Sequence, residues 1–216
     1  MEAAEFWEQR YAGSTKVWSG RVNTVLTEVA ADLPAGRALD LGCGEGGDAV
    51  WLAQRGWQVT AVDISATAVA RGRAAATAAG VPDDRITWVA HDLSDWIPEP
   101  GFDLVSAFFL QSPVEFARQE ILSRAAASVA QGGHLLVVSH AAPPPWASQW
   151  HVHHAHDLSS PAEEVAALGL DAGEWEIVLA EVRGRESIGP DGKPASLEDS
   201  IVLARRAASE PNGDGS

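Results

Sequence analysis

Cysteine is almost missing from this chain: Cys43 is the only one in 216 residues. No internal disulfide can form, a usage that suits a reducing compartment, so a cytoplasmic location is expected. Basic residues are scarce too. Fifteen Lys and Arg stand against 30 Asp and Glu, a formal net charge of −15, and no basic run is longer than Arg205-Arg206. Affinity for a long polyanion comes from Lys and Arg neutralising phosphates, so no nucleic-acid partner is expected. No apolar run approaches the roughly 20 residues of a membrane helix, and the acidic start MEAAEFWEQR lacks the apolar core of a secretory signal. No membrane partner is expected. No internal repeat is visible. The 46% hydrophobic content is ordinary for a globular protein, and the length suffices for one domain with a full core.

What the chain does have is glycine gathered in one place. Residues 38–47 read ALDLGCGEGG, joining an apolar strand that ends at Leu41 to a helix opening near Asp48. Gly42, Gly44 and Gly46 alternate through the turn, and Gly47 follows. Without a Cβ the backbone turns sharply and comes close to a ligand, and the helix behind points unpaired N–H groups at whatever sits there. Gly42, Gly44 and Gly47 also fit the GxGxxG spacing of a dinucleotide site, with Asp63 about 20 residues further on. The glycines alone leave the cofactor open; the acids around them help to choose. Asp40, Glu45 and Asp48 surround the loop. They would repel a doubly anionic pyrophosphate and attract a ligand carrying an ammonium and a sulfonium. S-adenosylmethionine carries both, and a ribose for Asp63.

ALDLGCGEGG followed by VTAVDIS resembles motif I and the acidic strand end of class I S-adenosylmethionine-dependent methyltransferases. FWEQRY, VWSG and DAVWLAQRGWQVTAVDIS are similar to the small-molecule branch, which includes the thiopurine and tellurite-resistance methyltransferases. The resemblance runs over about residues 5–206, strong in the first half and loose after Trp146. It implies a Rossmann-like α/β fold: a seven-stranded, mostly parallel sheet with helices on both faces and the seventh strand antiparallel near the edge. It implies one domain over residues 1–206, with 1–20 as a lid over the cofactor; residues 207–216 read as a disordered tail.

The same resemblance implies roles. Asp40, Gly42, Gly44 and Gly46 would hold the methionine half of S-adenosylmethionine, with backbone contacts from Cys43 and Glu45. Asp63, with Ile64 beside it, would take the ribose. Asp92 would reach the adenine amine, with the Leu93 N–H beside it. Trp7, Arg10, Tyr11 and Trp18 would close the lid, and Arg10 would meet the methionine carboxylate. Read from residues alone, Asp63 also suits the start of a helix, Asp92 a turn, and the lid aromatics simple packing on a sheet edge. The Cys43 thiol, at a helix N-terminus, is expected to have a lowered pKa. His91-Asp92 without further ligands is a weak metal signal, and no metal site is expected.

Val22, Val25, Leu26 and Val29 follow helical spacing, stopped by Leu33-Pro34-Ala35-Gly36. Strands are expected at 37–41, 57–63, 85–90 and 102–110, with helices over 49–55 and from Ser65, as cap, to Ala79. Ser112-Pro113-Val114-Glu115 reads as a capping box opening a helix to about Val129. Gln131-Gly132-Gly133 then turns into the fifth strand. Ser160 and Glu163 form a second capping box, opening a helix to Leu168. Residues 175–181 and 200–205 read as an antiparallel strand pair. The Gly- and Pro-bearing stretch between them reads as a long, mobile loop.

The fourth strand faces the methyl group in class I enzymes. Amino methyltransferases acting on DNA bases or glutamine place Asn/Asp-Pro-Pro-aromatic there; this chain has Ser106-Ala107-Phe108-Phe109. One of the two phenylalanines is expected in the pocket and the other in the core. Past the fifth strand, Pro143-Pro144-Pro145 leads to Trp146, Trp150 and the cluster His151, His153, His154, His156. The cluster suits a solvated loop, a base for an acceptor thiol or hydroxyl, or zinc. His140 is a second candidate base. The expected reaction is methyl transfer from S-adenosylmethionine to a small acceptor, with a thiol or other soft nucleophile favoured. The rivals are a nicotinamide-dependent oxidoreductase and a non-catalytic S-adenosylmethionine-binding protein.

Overall fold

The computed structural model describes residues 2–145, 158–189 and 191–208. The elements run α1 (Ala3–Ala12), α2 (Thr24–Ala30), β1 (Arg37–Leu41), α3 (Gly47–Gln54), β2 (Gln58–Asp63), α4 (Ala66–Ala78), β3 (Ile86–Ala90), β4 (Phe102–Phe108), α5 (Arg118–Ser128), β5 (Val129–His140), α6 (Pro161–Leu168), β6 (Trp175–Ile188) and β7 (Pro194–Arg206). They build one seven-stranded sheet of order β3-β2-β1-β4-β5-β7-β6. β1 to β5 are mutually parallel, and β7 inserts antiparallel between β5 and β6. This is the expected class I methyltransferase architecture.

The central strands are apolar almost throughout because both of their faces are covered. On one face α2 and α3, with Ala76 of α4, pack Leu26, Leu52 and Trp57 against Val59, Leu104 and Leu136. On the other, α5 and Leu168 of α6 cover Leu39, Leu41, Val105 and Leu135. Each such side chain, wholly withdrawn from water, contributes about 1.5–3 kcal/mol. Leu41 stands level with Val62 on β2 and Ala107 on β4. The carboxyl ends of these three strands therefore share one rim. The order reverses between β1 and β4, and open α/β sheets bind ligands at such a switch point.

Local signals account for several boundaries. Ser65 accepts the Ala68 N–H (3.1 Å) and caps α4. Ser160 and Glu163 form a reciprocal capping box on α6, which ends at Gly169 with φ 62°.

Three expectations are corrected. Ser112 does not open a helix: its Oγ accepts from Val114 N (3.3 Å) and from Trp7 Nε1 (3.2 Å), and α5 begins only at Arg118, without a side-chain cap. That hydroxyl serves a local turn and fastens α1. Gln131-Gly132-Gly133 does not precede the fifth strand. It is an excursion inside β5, where the pairing with β4 jumps from Phe102↔Val129 to Leu104↔His134. The loop expected between the last two strands is instead a long hairpin, paired out to Ile188↔Pro194 and closed by Gly189 N to Lys193 O and Gly192 N to Gly189 O. Its outer part, RGRES against SLED, is polar except for Leu197, so no apolar alternation announces it; the ladder is held by backbone pairing. The expected tail from 209 on and the cluster His151, His153, His154, His156 with its flanking tryptophans lie outside the described residues.

Candidate active site

The glycine turn sits on the rim between β1 and α3. Gly42, Gly44 and Gly46 have φ of 70°, 52° and 82°, the left-handed region that costs a side chain energy. Gly42 N and Cys43 N both donate to Val62 O (2.8 and 3.0 Å), which ties the turn to β2. Asp63 braces it: Oδ2 accepts Gly44 N (2.8 Å) and Oδ1 accepts Ser65 N (2.9 Å). Behind the turn lies Trp88 of β3, a residue that strand periodicity gave no reason to single out. A Cβ on Gly46 or on Gly72 of α4 would lie 2.5 Å from its ring, so the indole needs glycine on both sides.

Three carboxylates gather at this rim. Asp40 is 2% exposed; its Oδ1 is 3.4 Å from Ser106 Oγ, and its Oδ2 has no hydrogen-bond partner among the described residues. Burial first, then the Asp48 charge, holds its carboxyl well above the usual range. Asp48 is pushed up to about 6 by burial, against the pull of the Asn23 N–H it accepts at 2.6 Å. Burial also raises Asp63, opposed by its two backbone donors. The Cys43 thiol, expected low, is instead raised well above its ordinary value by burial and by Asp63 and Asp40. The helix terminus loses to desolvation and to neighbouring negative charge.

Among the described residues no Lys or Arg pairs with Asp40, Asp48 or Asp63. Buried anions without a counter-ion are costly, and a ligand ammonium or sulfonium would supply one. Each Asp63 oxygen accepts one bond and retains capacity for a ribose hydroxyl. S-adenosylmethionine therefore fits this donor set; a pyrophosphate does not.

Residues 1–20, expected as a lid, form α1 and the segment after it, and Tyr11 and Trp18 of this segment pack against the turn. A Cβ at Gly44 would stand 3.0 Å from Tyr11 Oη and 3.3 Å from Trp18 Cδ1. Trp18 Nε1 donates to Tyr11 Oη (2.7 Å). Three fastenings, none of them legible in the sequence, hold the segment. Glu8 accepts from Ser65 Oγ (2.6 Å) and from Thr67 at the start of α4. Arg71 donates to the carbonyls of Tyr11 and Ser14 and pairs with Glu45 (3.0 Å). Glu45 also accepts the amides of Val17 and Trp18. The Glu45 side chain thus fastens the segment after α1. Arg10 is exposed, its guanidinium 5.9 Å from the Trp7 ring centre and 5.6 Å from that of Trp18.

Ile64 follows Asp63 at the rim, half-buried. Asp92 stands two residues past β3, where its Oδ1 accepts Ser94 N (2.8 Å) and closes a turn. Leu93 is buried in the second core, and its carbonyl accepts from Arg124 (2.7 Å).

At the end of β4 the chain takes an unusual conformation: Phe109 has φ 51°. Strand alternation stops there, so Phe108 and Phe109 both pack against the first core. Leu110, next in the chain, reaches the glycine turn, its Cδ1 2.8 Å from where a Gly42 Cβ would stand. The Phe109 ring stacks on His140 with centres 4.5 Å apart. Arg118 steadies this end from α5, donating to Leu110 O (2.9 Å), to Ser139 Oγ (2.8 Å) and, as a buried pair, to Glu164. His140 is thus brought to the rim.

A model of the methyltransferase domain matches residues 38–133. The chain is 37% identical over 121 residues to the ribosomal RNA small subunit methyltransferase C of Chromohalobacter salexigens, covering 54% of this chain and 35% of that protein. It is 32% identical over 103 residues to the probable thiol methyltransferase 2 of Arabidopsis thaliana, covering 46% of this chain and 45% of that one. It thus spans about a third to a half of the length of these curated relatives. The structure of the magnesium protoporphyrin IX methyltransferase of Synechocystis with bound SAH superposes with a TM-score of 0.63 at 19% identity, covering 95% of each chain. Fold and rim define a Rossmann-like methyltransferase domain. The family match covers the glycine turn and the central strands, and the architecture is that of the class I S-adenosylmethionine-dependent methyltransferases.

Proposed function

We infer that the chain moves the methyl group of S-adenosylmethionine to a small acceptor with a soft nucleophile, a thiol foremost. Bound S-adenosylmethionine supplies a methyl carbon already activated by its sulfonium. The residues then have to bind, orient and keep water out, and bringing two groups to near-attack distance is the main contribution. Asp40 and the glycine turn would hold the methionine half, Asp63 the ribose, and Asp92 with Leu93 the adenine. Tyr11 and Trp18 would close over them.

The observation that carries the acceptor class is the apolar end of β4: Leu110 lies against the glycine turn, one residue past Phe109, and Ser106-Ala107-Phe108-Phe109 stands in place of a polar Asn/Asp-Pro-Pro motif. A soft thiol suits such a wall, because little of its charge must be solvated. The likeness to a thiol methyltransferase supports this reading. An RNA acceptor, the substrate class named for the first relative, is opposed by the net charge of −15.

Calorimetry with S-adenosylhomocysteine and with NAD tests the cofactor; dissociation constants of micromolar order, about −8 kcal/mol, are expected for the first and no heat for the second. Labelled methyl transfer to alkyl thiols, aryl thiols, phenols, small acids and a ribosomal RNA fragment tests the acceptor. Transfer to RNA in preference to thiols would overturn the acceptor class. Binding without transfer to anything in the panel would favour a non-catalytic binding protein.

A further inference from the structure

We propose that His140 is the base that removes the acceptor's proton, and that Asp199 of β7 is the positioning residue that orients it; this rests on the methyl-transfer reading above. His140 and Asp199 are cross-strand partners on β5 and β7. His140 Nδ1 lies 3.5 Å from Asp199 Oδ1, at the long edge of a hydrogen bond. Catalytic contacts are commonly long before substrate binds and tighten afterwards. Asp199 is 3% exposed. Its Oδ2 is held by Arg185 Nε, and its Oδ1 has no hydrogen-bond partner among the described residues. A buried carboxylate oxygen of this kind needs a donor, and the imidazole faces it.

Two more contacts fix the ring. Phe109 stacks on it, 29° from parallel, and the His140 amide donates to Gln111 Oε1 (2.9 Å). Phe109 has a left-handed backbone there, a conformation that is uncommon for a non-glycine residue and gathers at functional sites. Leu110, one residue on, touches the glycine turn. The imidazole is therefore tied to the cofactor rim through two consecutive residues.

With the Nδ1 proton facing Asp199, the basic nitrogen is Nε2. The proton of the acceptor S–H passes to Nε2. The sulfur keeps that electron pair and forms the new bond to the methyl carbon, while the pair of the broken carbon–sulfonium bond leaves with the neutral thioether. Asp199 stabilises the imidazolium until it yields its proton to water. Among acceptors an alkyl thiol yields its proton more readily than a phenol, and a phenol more readily than an aliphatic hydroxyl, so an imidazole base serves them in that order.

The test compares 2-mercaptoethanol, which must lose a proton, with 4-nitrothiophenol, already ionised at neutral pH. His140→Gln should lose about 100-fold in kcat/KM on the first and stay within about threefold of wild type on the second. Asp199→Asn should lose about tenfold or more on the first alone. Added imidazole should restore His140→Ala. Independently of activity, nitrogen NMR should show the His140 ring protonated at Nδ1 in wild type and a mixture of tautomers in Asp199→Asn. Equal losses on both thiols, no loss on either, or an unchanged tautomer in Asp199→Asn would overturn the proposal. If wild type binds S-adenosylhomocysteine but methylates neither thiol, the thiol acceptor and this proposal fall together. If it binds no S-adenosylhomocysteine, the methyl-transfer reading itself falls.

Discussion

Replacing Asp48 by Asn should make the cofactor-free protein more stable and the cofactor bind less well. The carboxyl of Asp48 is pushed up to about 6 from an ordinary 3.8 by burial. The folded state therefore holds its proton more tightly than the unfolded chain does. Between about pH 4 and pH 6 the folded state carries the extra proton, so stability falls as pH rises through that window and stays lowered above it. A rise of about two units, at about 1.4 kcal/mol each, corresponds to about 3 kcal/mol at pH 7. Asn retains an oxygen for the Asn23 N–H and removes the charge, which also relieves Asp40. The expected gain at pH 7 is about 2–3 kcal/mol, or about 4–12 °C in Tm for a chain of this size, shrinking toward zero at pH 4. Urea denaturation of both proteins at pH 4, 5, 6 and 7 measures the difference directly. S-adenosylmethionine should bind the variant several-fold more weakly, since a neutral amide attracts no cation. A variant less stable at pH 7, or a gain of the same size at pH 4 as at pH 7, would refute the claim that the site stores unpaired negative charge for a cationic ligand.

Gly46→Ala has to place a Cβ at φ 82° and 2.5 Å from the Trp88 ring; a loss of about 2–4 kcal/mol is expected by chemical denaturation, with S-adenosylhomocysteine affinity falling alongside. Arg118→Met strands Glu164, 2% exposed, and should cost about 3–5 kcal/mol, most of it recovered in the double variant with Glu164→Leu; additive losses would contradict the pairing. Arg71→Ala removes the clasp on residues 11–17 and the partner of Glu45. Its global stability should change little, about 1 kcal/mol for a part-exposed pair, while tryptic cleavage after Lys16 should accelerate several-fold.

The sequence by itself determined what depends on neighbours a few residues apart. The turn at Gly42 to Gly46 needs glycine whatever surrounds it, because its backbone conformation is local. The same is true of the caps at Ser65 and Ser160 and of the apolar strands β1, β2, β4 and β5, whose composition announces burial on both faces. Asp40 and Asp63 could be placed because Asp63 ends its strand and Asp40 stands one residue before the end of its own, both beside that turn. Ser112 misled for the converse reason: its spacing suits a cap, but its hydroxyl is claimed by Trp7 from 105 residues away.

Only the tertiary structure decided which distant residues meet. Trp88 needs glycine at both 46 and 72; Glu8 and Arg71 fasten α1 to α4; Asp199 and Arg185 stand behind His140. None of these pairs has a spacing, because sheet order and hairpin register bring them together. It also decided the sign of the shift at Cys43. In the chain the thiol is only near a helix start, which would lower its pKa. In the fold it is buried among carboxylates, and desolvation with like charge outweighs the partial charge of a helix end.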